Sequence, residues 1–252
     1  MNSIEIKNLT KRYGKFYAVD NLGFEIKQGD FVGFLGVNGA GKSTTVNMLS
    51  TILTPDSGDA YLCGYKLGKE DMEIRKTIGV VYQSNVLDDL FTVKENIVTR
   101  SKMLGLDDKT IRDRLADLSD ILKLSDIMDK RYRVLSGGQK RRCEIAFALM
   151  HSPRILFLDE PTTGLDLATR VDVWDAVEML RANTDMTVWT FSLCAVGRTK
   201  KATKISLDYF YYCLYSCDSD YFAKAFVTNG NLIISSLSFS IMLSSLLAAP
   251  DG

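Results

Sequence analysis

The stretch Phe31-Val-Gly-Phe-Leu-Gly36-Val-Asn-Gly-Ala-Gly-Lys42-Ser43-Thr44 decides how this chain is read. Its first five residues form an apolar strand pattern, and Gly36 to Ser43 fits G-x-x-x-x-G-K-[ST]. Lys42–Leu53 then reads as a helix stopped before Pro55. A loop that turns its backbone N–H groups inward around polyphosphate oxygens needs glycine, because glycine takes positive φ at little steric cost. Gly36, Asn38, Gly39, Ala40, Gly41 and Thr44 are therefore candidate phosphate contacts. The helix N-terminus adds a partial positive charge, Lys42 a full one, and the Ser43 hydroxyl is a candidate Mg²⁺ ligand. A strand before and a helix after separate this pattern from a chance glycine turn. Nucleoside triphosphate binding follows from it.

A second chemical feature lies further along. Ile155-Leu-Phe-Leu158-Asp159-Glu160 is an apolar strand closing on two carboxylates, followed by Pro161. In parallel sheets ligands gather at the carboxyl ends of strands. Asp159 is the candidate for holding Mg²⁺, through water, and Glu160 for taking a proton from an attacking water.

Around these two features strands and helices alternate. Ile4–Leu9, Leu22–Ile26 and Phe31–Leu35 have strand patterning, and short strands are expected at Ala60–Cys63 and Ile78–Tyr82. Between Val93 and Lys123 the rhythm of Ile111, Leu115, Leu118, Ile121 and Leu122 predicts amphipathic helices. A helix from Ser136 to about Met150, the strand Ile155–Leu158, a helix from Leu167 to about Asn183 and a strand starting at Thr187 complete the pattern. The expected fold is α/β: a parallel sheet covered on both faces, with a helical insert at about 84–140.

Composition narrows the function. The 252 residues carry 31 basic and 31 acidic side chains, and 46% are apolar, enough for a proper core. Zero net charge argues against nucleic acid as a partner. The opening Met1–Lys15 has no basic stretch leading into an apolar run, so no secretory leader is expected. Five cysteines, odd in number and without metal spacing, read as reduced thiols. The single histidine, His151, excludes a His-rich metal site and reads as structural.

Between the two chemical features stands Leu135-Ser136-Gly137-Gly138-Gln139, followed by Lys-Arg-Arg and a helix. Ser136 can cap that helix and leave its first N–H groups facing an anion. This LSGGQ sequence, with the phosphate loop and the Asp159-Glu160 strand end in that order, makes the chain resemble an ATP-binding subunit of ABC transporters over residues 3–189. The resemblance implies a P-loop NTPase (RecA-like) parallel-sheet core, an N-terminal antiparallel β subdomain and an inserted α-helical subdomain. It implies ATP and Mg²⁺ as ligands. It further implies a second copy of the cassette meeting the first head to tail, so that Ser136, Gly137, Gly138 and Gln139 of one face the γ-phosphate held by the other. A separate transmembrane permease would supply the transport path, placing the subunit at the cytoplasmic face of the membrane.

Other positions follow from the same resemblance. Tyr13, in Thr10-Lys-Arg-Tyr13-Gly14, is similar to the aromatic that stacks on adenine. Gln83 resembles the glutamine that reaches Mg²⁺ and the lytic water, and the segment Val86–Glu95 after it is the expected coupling surface for the membrane subunit. Asp166, in Gly164-Leu-Asp166, resembles the loop linking the two sites of a dimer. The wording Pro161-Thr-Thr-Gly-Leu-Asp166, with Arg170 and Trp174 beyond it, looks most like the branch exporting drugs, antibiotics or lipids.

The pattern breaks near residue 190. The family places a γ-phosphate-contacting histidine at a position that falls on about Leu193, and no histidine follows it here. Residues 190–252 hold only 5 basic and 4 acidic side chains, against 26 and 27 before them. In place of the family's acidic helix and small strands stand Lys200-Lys-Ala-Thr-Lys204, a tyrosine-rich run at Tyr209–Tyr215, and Leu232–Ala249 with six serines. This stretch reads as an atypical tail that need not fold, such as a shift of reading frame would produce. A membrane helix over Ala225–Pro250 would have to bury those serines, and Cys213 with Cys217 lack partner ligands for a metal. Two functions are open at this stage. One is an ATPase subunit powering transport, weakened by the missing histidine; the other is a hydrolysis-defective or truncated cassette acting only as a nucleotide-dependent binding module.

Overall fold

The computed structural model describes residues 1–36, 39–193, 222–228 and 231–238. Two long strands open the chain, β1 (Asn2–Tyr13) and β2 (Phe16–Lys27), paired antiparallel across a tight turn that sets Tyr13 opposite Phe16. Alternation drives them: Ile4, Ile6, Leu22, Phe24 and Ile26 are buried, while Glu5, Lys7, Gly23, Glu25 and Lys27 beside them are more exposed. With β4 (Ser57–Leu62) and β5 (Tyr65–Lys66) they form an antiparallel sheet in the order β2-β1-β4-β5.

The second sheet holds β3 (Phe31–Gly36), β6 (Ile78–Val81), β7 (Ile155–Asp159), β8 (Thr187–Leu193), β9 (Phe222–Thr228) and β10 (Asn231–Ser238). Its order is β6-β7-β8-β3-β10-β9, parallel from β6 through β3 and antiparallel beyond. Ile155, Leu156, Phe157 and Leu158 are all buried, because helices and the other sheet cover both faces of a parallel strand. The two sheets meet over Trp189. Its ring lies 5.2 Å from Phe24 of the antiparallel sheet and 4.9–5.8 Å from Phe34, Phe157 and Phe191 of the parallel one.

Helices α1 (Lys42–Leu49), α2 (Asp71–Thr77), α3 (Val93–Met103), α4 (Asp108–Ile121), α5 (Gly137–Leu149) and α6 (Leu167–Ala182) complete the described residues, with 3₁₀ turns at Ser125–Ile127 and Tyr132–Val134. Ile111, Leu115, Leu118 and Leu122 bury the predicted apolar face of α4 in a core shared with α3, α5 and α6. A parallel P-loop core, an antiparallel β layer and a helical insert are the architecture expected from the sequence.

The elements differ from expectation in three places. Helix α1 ends at Leu49 rather than Leu53, because Ser50 caps it and Thr51 turns left-handed at φ 65. Helix α2 was not anticipated. The tail, which showed no strand pattern, supplies β9 and β10, paired so that Thr228 faces Asn231. Asn229-Gly230 stands between them in the sequence, and Asn-Gly is the dipeptide most favourable to a two-residue hairpin. The stretch weighed as a membrane helix is strand over its described part. Cys213 and Cys217 lie outside the described residues.

Candidate functional site

The phosphate loop begins at Gly36, the last residue of β3. Gly39 and Gly41 both take positive φ, at 82° and 84°. At Gly41 space is decisive as well, since a Cβ there would lie 2.1 Å from the Ala18 carbonyl oxygen. Gly41 is also the N-cap of α1, and no side chain caps the helix. The Thr45 backbone N–H and hydroxyl both donate to the Gly41 carbonyl, at 2.8 and 2.9 Å, tying the loop to the first turn. Lys42 is buried, Ser43 is exposed and Thr44 is half-buried. Asn38 lies outside the described residues.

Beside this loop opens a cleft of about 210 Å³ lined by Phe16, Tyr17, Val19, Gly39, Ala40 and Thr45. Tyr13, the expected base-stacking residue, is exposed at the hairpin end and is not among the lining residues. Phe16 and Tyr17 line the cleft instead, and the Arg12 guanidinium lies 5.6 Å over the Tyr17 ring. Sequence reading passed over both.

The acidic strand end sits on β7, next to β6 on one side and β8 on the other. Burial pushes the Asp159 carboxyl above its usual range, the neighbouring Glu160 charge pushes it further, and the Arg141 and Lys42 charges pull it back. Glu160 carries a left-handed backbone, φ 46, fixed by its N–H donating to the Phe191 carbonyl at 2.9 Å. Its Oε2 accepts two hydrogen bonds, from Gln83 Nε2 at 2.9 Å and from the Thr163 hydroxyl at 3.0 Å. The structure thus joins Gln83 to Glu160. Thr163 is a third member that the sequence did not single out.

These residues fit a magnesium ion. Among the described residues no cluster of three or more His, Cys, Asp and Glu could hold a metal by itself. A single desolvated carboxylate beside a second one suits a hard cation that takes its remaining oxygens from phosphate and water. Asp159, the Ser43 hydroxyl and the amide oxygen of Gln83 are the oxygen ligands available.

The signature segment is built as its sequence implied. Ser136 caps α5, its hydroxyl accepting the Gln139 N–H at 3.3 Å while Gln139 Oε1 accepts the Ser136 N–H at 3.0 Å. Gln139 therefore turns back on its own helix start. A Cβ on Gly138 would come 2.0 Å from Thr169 Cγ2, and one on Gly137 3.0 Å from Leu165 Cδ2. Asp166 caps α6, accepting the Thr169 N–H at 3.0 Å and its hydroxyl at 2.6 Å, which holds its carboxyl below the usual range. The signature and the Asp166 loop are thus packed directly on each other.

Two remaining positions are placed by the backbone. Leu193 ends β8 level with Gly36, where the phosphate loop starts. His151, read as structural, donates its Nε2–H to the Ile78 carbonyl at 2.8 Å. The Val86–Glu95 segment presents exposed Leu90 and Phe91 on a loop that Asn96 braces, accepting the Asp88 N–H at 2.8 Å and donating to the Asp88 and Thr92 carbonyls. Among the described residues no helix is long and apolar enough to cross a membrane.

Comparison with known proteins bears on this site. The family described as ABC transporter matches residues 19–163. The Nod factor export ATP-binding protein I of Burkholderia orbicola is 41% identical over 179 residues, 71% of this chain and 59% of that protein. The daunorubicin/doxorubicin resistance ATP-binding protein DrrA of Streptomyces peucetius is 42% identical over 178 residues, 71% of this chain and 54% of that protein. The chain thus spans less than two thirds of the length of these curated relatives. Among solved structures, cbiO1 from Clostridium perfringens, part of the ABC transporter complex cbiONQ, shares the fold with a TM-score of 0.77 at 24% identity, covering 98% of this chain and 92% of that one. The ATP-binding cassette MJ0796, a dimer bound to ADP and Pi, matches with a TM-score of 0.66 at 30% identity, covering 75% and 87%.

Proposed function

This chain belongs to the ABC transporter family, and from that membership we propose that it is the ATP-binding and hydrolysing subunit powering an exporter. The observation that carries the reading is the Gln83–Glu160 pair, 2.9 Å apart beside Asp159 at the end of a parallel strand. Glu160 takes the proton of the attacking water, and Gln83 orients that water. Lys42 and the N–H groups around Gly39 to Thr44 hold the phosphates of ATP, and the cleft at Phe16 and Tyr17 accepts the base. Asp159, Ser43 and Gln83 hold Mg²⁺, which when bound neutralises charge on the transferring phosphate.

The rest of the reading concerns partners. Ser136, Gly137 and Gly138 meet the γ-phosphate of a second copy, head to tail, with Gln139 holding the helix start that faces it and Asp166 at the junction between the sites. ATP favours the closed dimer, and hydrolysis removes that differential affinity. A separate permease chain docks on Leu90 and Phe91, which puts the cassette on the cytoplasmic face of the membrane. Relatives named for export and for antibiotic resistance support the exporter branch.

A second reading, a cassette that closes on ATP but turns it over poorly, is favoured by one observation. Leu193 stands level with Gly36 where the family carries histidine. Steady-state ATP turnover measured beside ATP-induced dimerisation separates the two, with Glu160→Gln as control. Turnover that vanishes in the variant supports the motor. Dimerisation without turnover in the unmodified chain supports the second reading, and neither response to MgATP overturns both.

A further inference from the structure

Helix α5 carries a charged pair inside the molecule. Arg141 and Glu144 are 6% and 3% exposed and lie one turn apart, with Nη1 3.0 Å from Oε2. Glu144 Oε1 also accepts the fully buried Tyr132 hydroxyl at 3.0 Å. Burial pushes the carboxyl of Glu144 up, partly offset by Arg141, by Tyr132 and by the Val86 N–H that it accepts. A buried ion pair adds little net stability by itself, so its presence calls for another reason.

The other hydrogen bonds of the guanidinium supply one. Nη1 donates to the Tyr82 carbonyl at 2.5 Å, Nη2 to the Asp159 carbonyl at 2.7 Å and Nε to the Pro161 carbonyl at 2.9 Å. Tyr82 directly precedes Gln83, while Asp159 and Pro161 flank Glu160 on either side. One side chain thus grips the backbone around both members of the pair, across the ends of β6 and β7. The backbone of Glu160, left-handed without being glycine, persists only where its surroundings over-determine it. A planar fork of five N–H donors can serve three carbonyls and a carboxylate at once, whereas the point charge of lysine cannot.

We propose that Arg141 is a positioning residue for hydrolysis, its guanidinium setting the separation of Gln83 and Glu160 by fixing the three carbonyls beside them, with Glu144 as its counter-charge. The inference rests on the reading of Gln83 and Glu160 as the hydrolytic pair. Because the fork sits on the signature helix, any shift of that helix on meeting a second copy displaces the pair.

The test uses the full chain with Arg141→Lys and Glu144→Gln. Hydrogen–deuterium exchange without nucleotide reads residues 80–86 and 157–163, and ATP turnover reads kcat and KM. Arg141→Lys is expected to speed exchange in both segments together by about tenfold while α6 and the β1–β2 hairpin keep their rates. It should also lower kcat by about tenfold or more with KM within about twofold, since small misplacements are costly at a reacting centre. Glu144→Gln should move both readouts in the same direction by less, and it decides the matter if Arg141→Lys does not fold. Faster exchange confined to α5, or spread evenly over the chain, overturns the proposal. So does faster exchange at both segments with kcat unchanged in a chain that turns over ATP. An unmodified chain that binds ATP but never turns it over removes the hydrolytic reading alone, because the exchange response still decides whether Arg141 fixes the two strand ends.

Discussion

Gln83 Nε2 donates to Glu160 Oε2 across 2.9 Å, joining the ends of two neighbouring strands from residues 77 apart in the chain. The amide gives Glu160 a hydrogen-bond donor and sets no second negative charge beside it. Gln83→Glu would set two carboxylates at this distance, and their repulsion raises the pH at which the pair gives up its second proton. Turnover should fall at least as far as in Gln83→Ala, but only Gln83→Glu should recover as pH rises. A pH–rate profile of the two variants checks this, and parallel profiles would refute it.

Leu193→His should supply the polar contact that the family resemblance places at about this position. The position ends β8 level with the start of the phosphate loop. Removing one preorganised donor from a reacting site costs about 10²–10³ in rate, so adding one here should raise kcat by up to about that factor. ATP affinity should change little. A variant no faster than the unmodified chain would show that the deficit lies elsewhere.

Gly138→Ala should destabilise the chain through a single clash. Its methyl would overlap Thr169 Cγ2, and Thr169 cannot rotate away without losing its 2.6 Å bond to Asp166. Overpacking of this kind costs about 1–3 kcal/mol. Thr169→Ser keeps the hydroxyl and removes the methyl, so the double variant should recover most of the loss in denaturant melts. Equal instability of single and double variants would count against this contact.

His151 is the only histidine, so the chain offers a clean titration. Burial holds its imidazole below the usual 6.5, while its bond to the Ile78 carbonyl works in the opposite direction. The unfolded chain therefore binds the proton more readily. Stability is fully present above about pH 6.5 and is lost as pH falls from there toward the lower folded value. His151→Gln keeps a donor for Ile78 and should flatten the dependence between pH 7.5 and 5.5. An unchanged slope would assign it to other groups.

What the sequence revealed, and what it hid, follows from how far each feature reaches along the chain. The phosphate loop, the Asp159-Glu160 strand end and the Ser136-Gln139 capping box are local patterns whose chemistry lies within a few residues. The parallel sheet covered by helices needed only the alternation of strand and helix patterns, whereas the order of its strands depends on long-range pairing that no local pattern carries. Arg141 was invisible because three of its partners are backbone carbonyls, which carry no residue identity, and they lie 18 to 59 positions away. Phe16 and Tyr17 were hidden by hairpin register, which sets the faces that residues present. The strands of the tail were missed for another reason. A stretch so poor in charge lacks the apolar–polar alternation that marks a strand, although Asn229-Gly230 is a local turn signal within it.

The aromatic contact between the sheets gives the molecule a built-in optical reporter. Of the two tryptophans, Trp189 is fully buried, and among the described residues its indole N–H has no hydrogen-bond partner. Emission from so dry a site should be blue-shifted. Its ring touches Phe34, two residues before Gly36, and Phe157, two residues before Asp159. With Trp174→Phe silencing the other fluorophore, one wavelength would then follow nucleotide arrival in unlabelled protein.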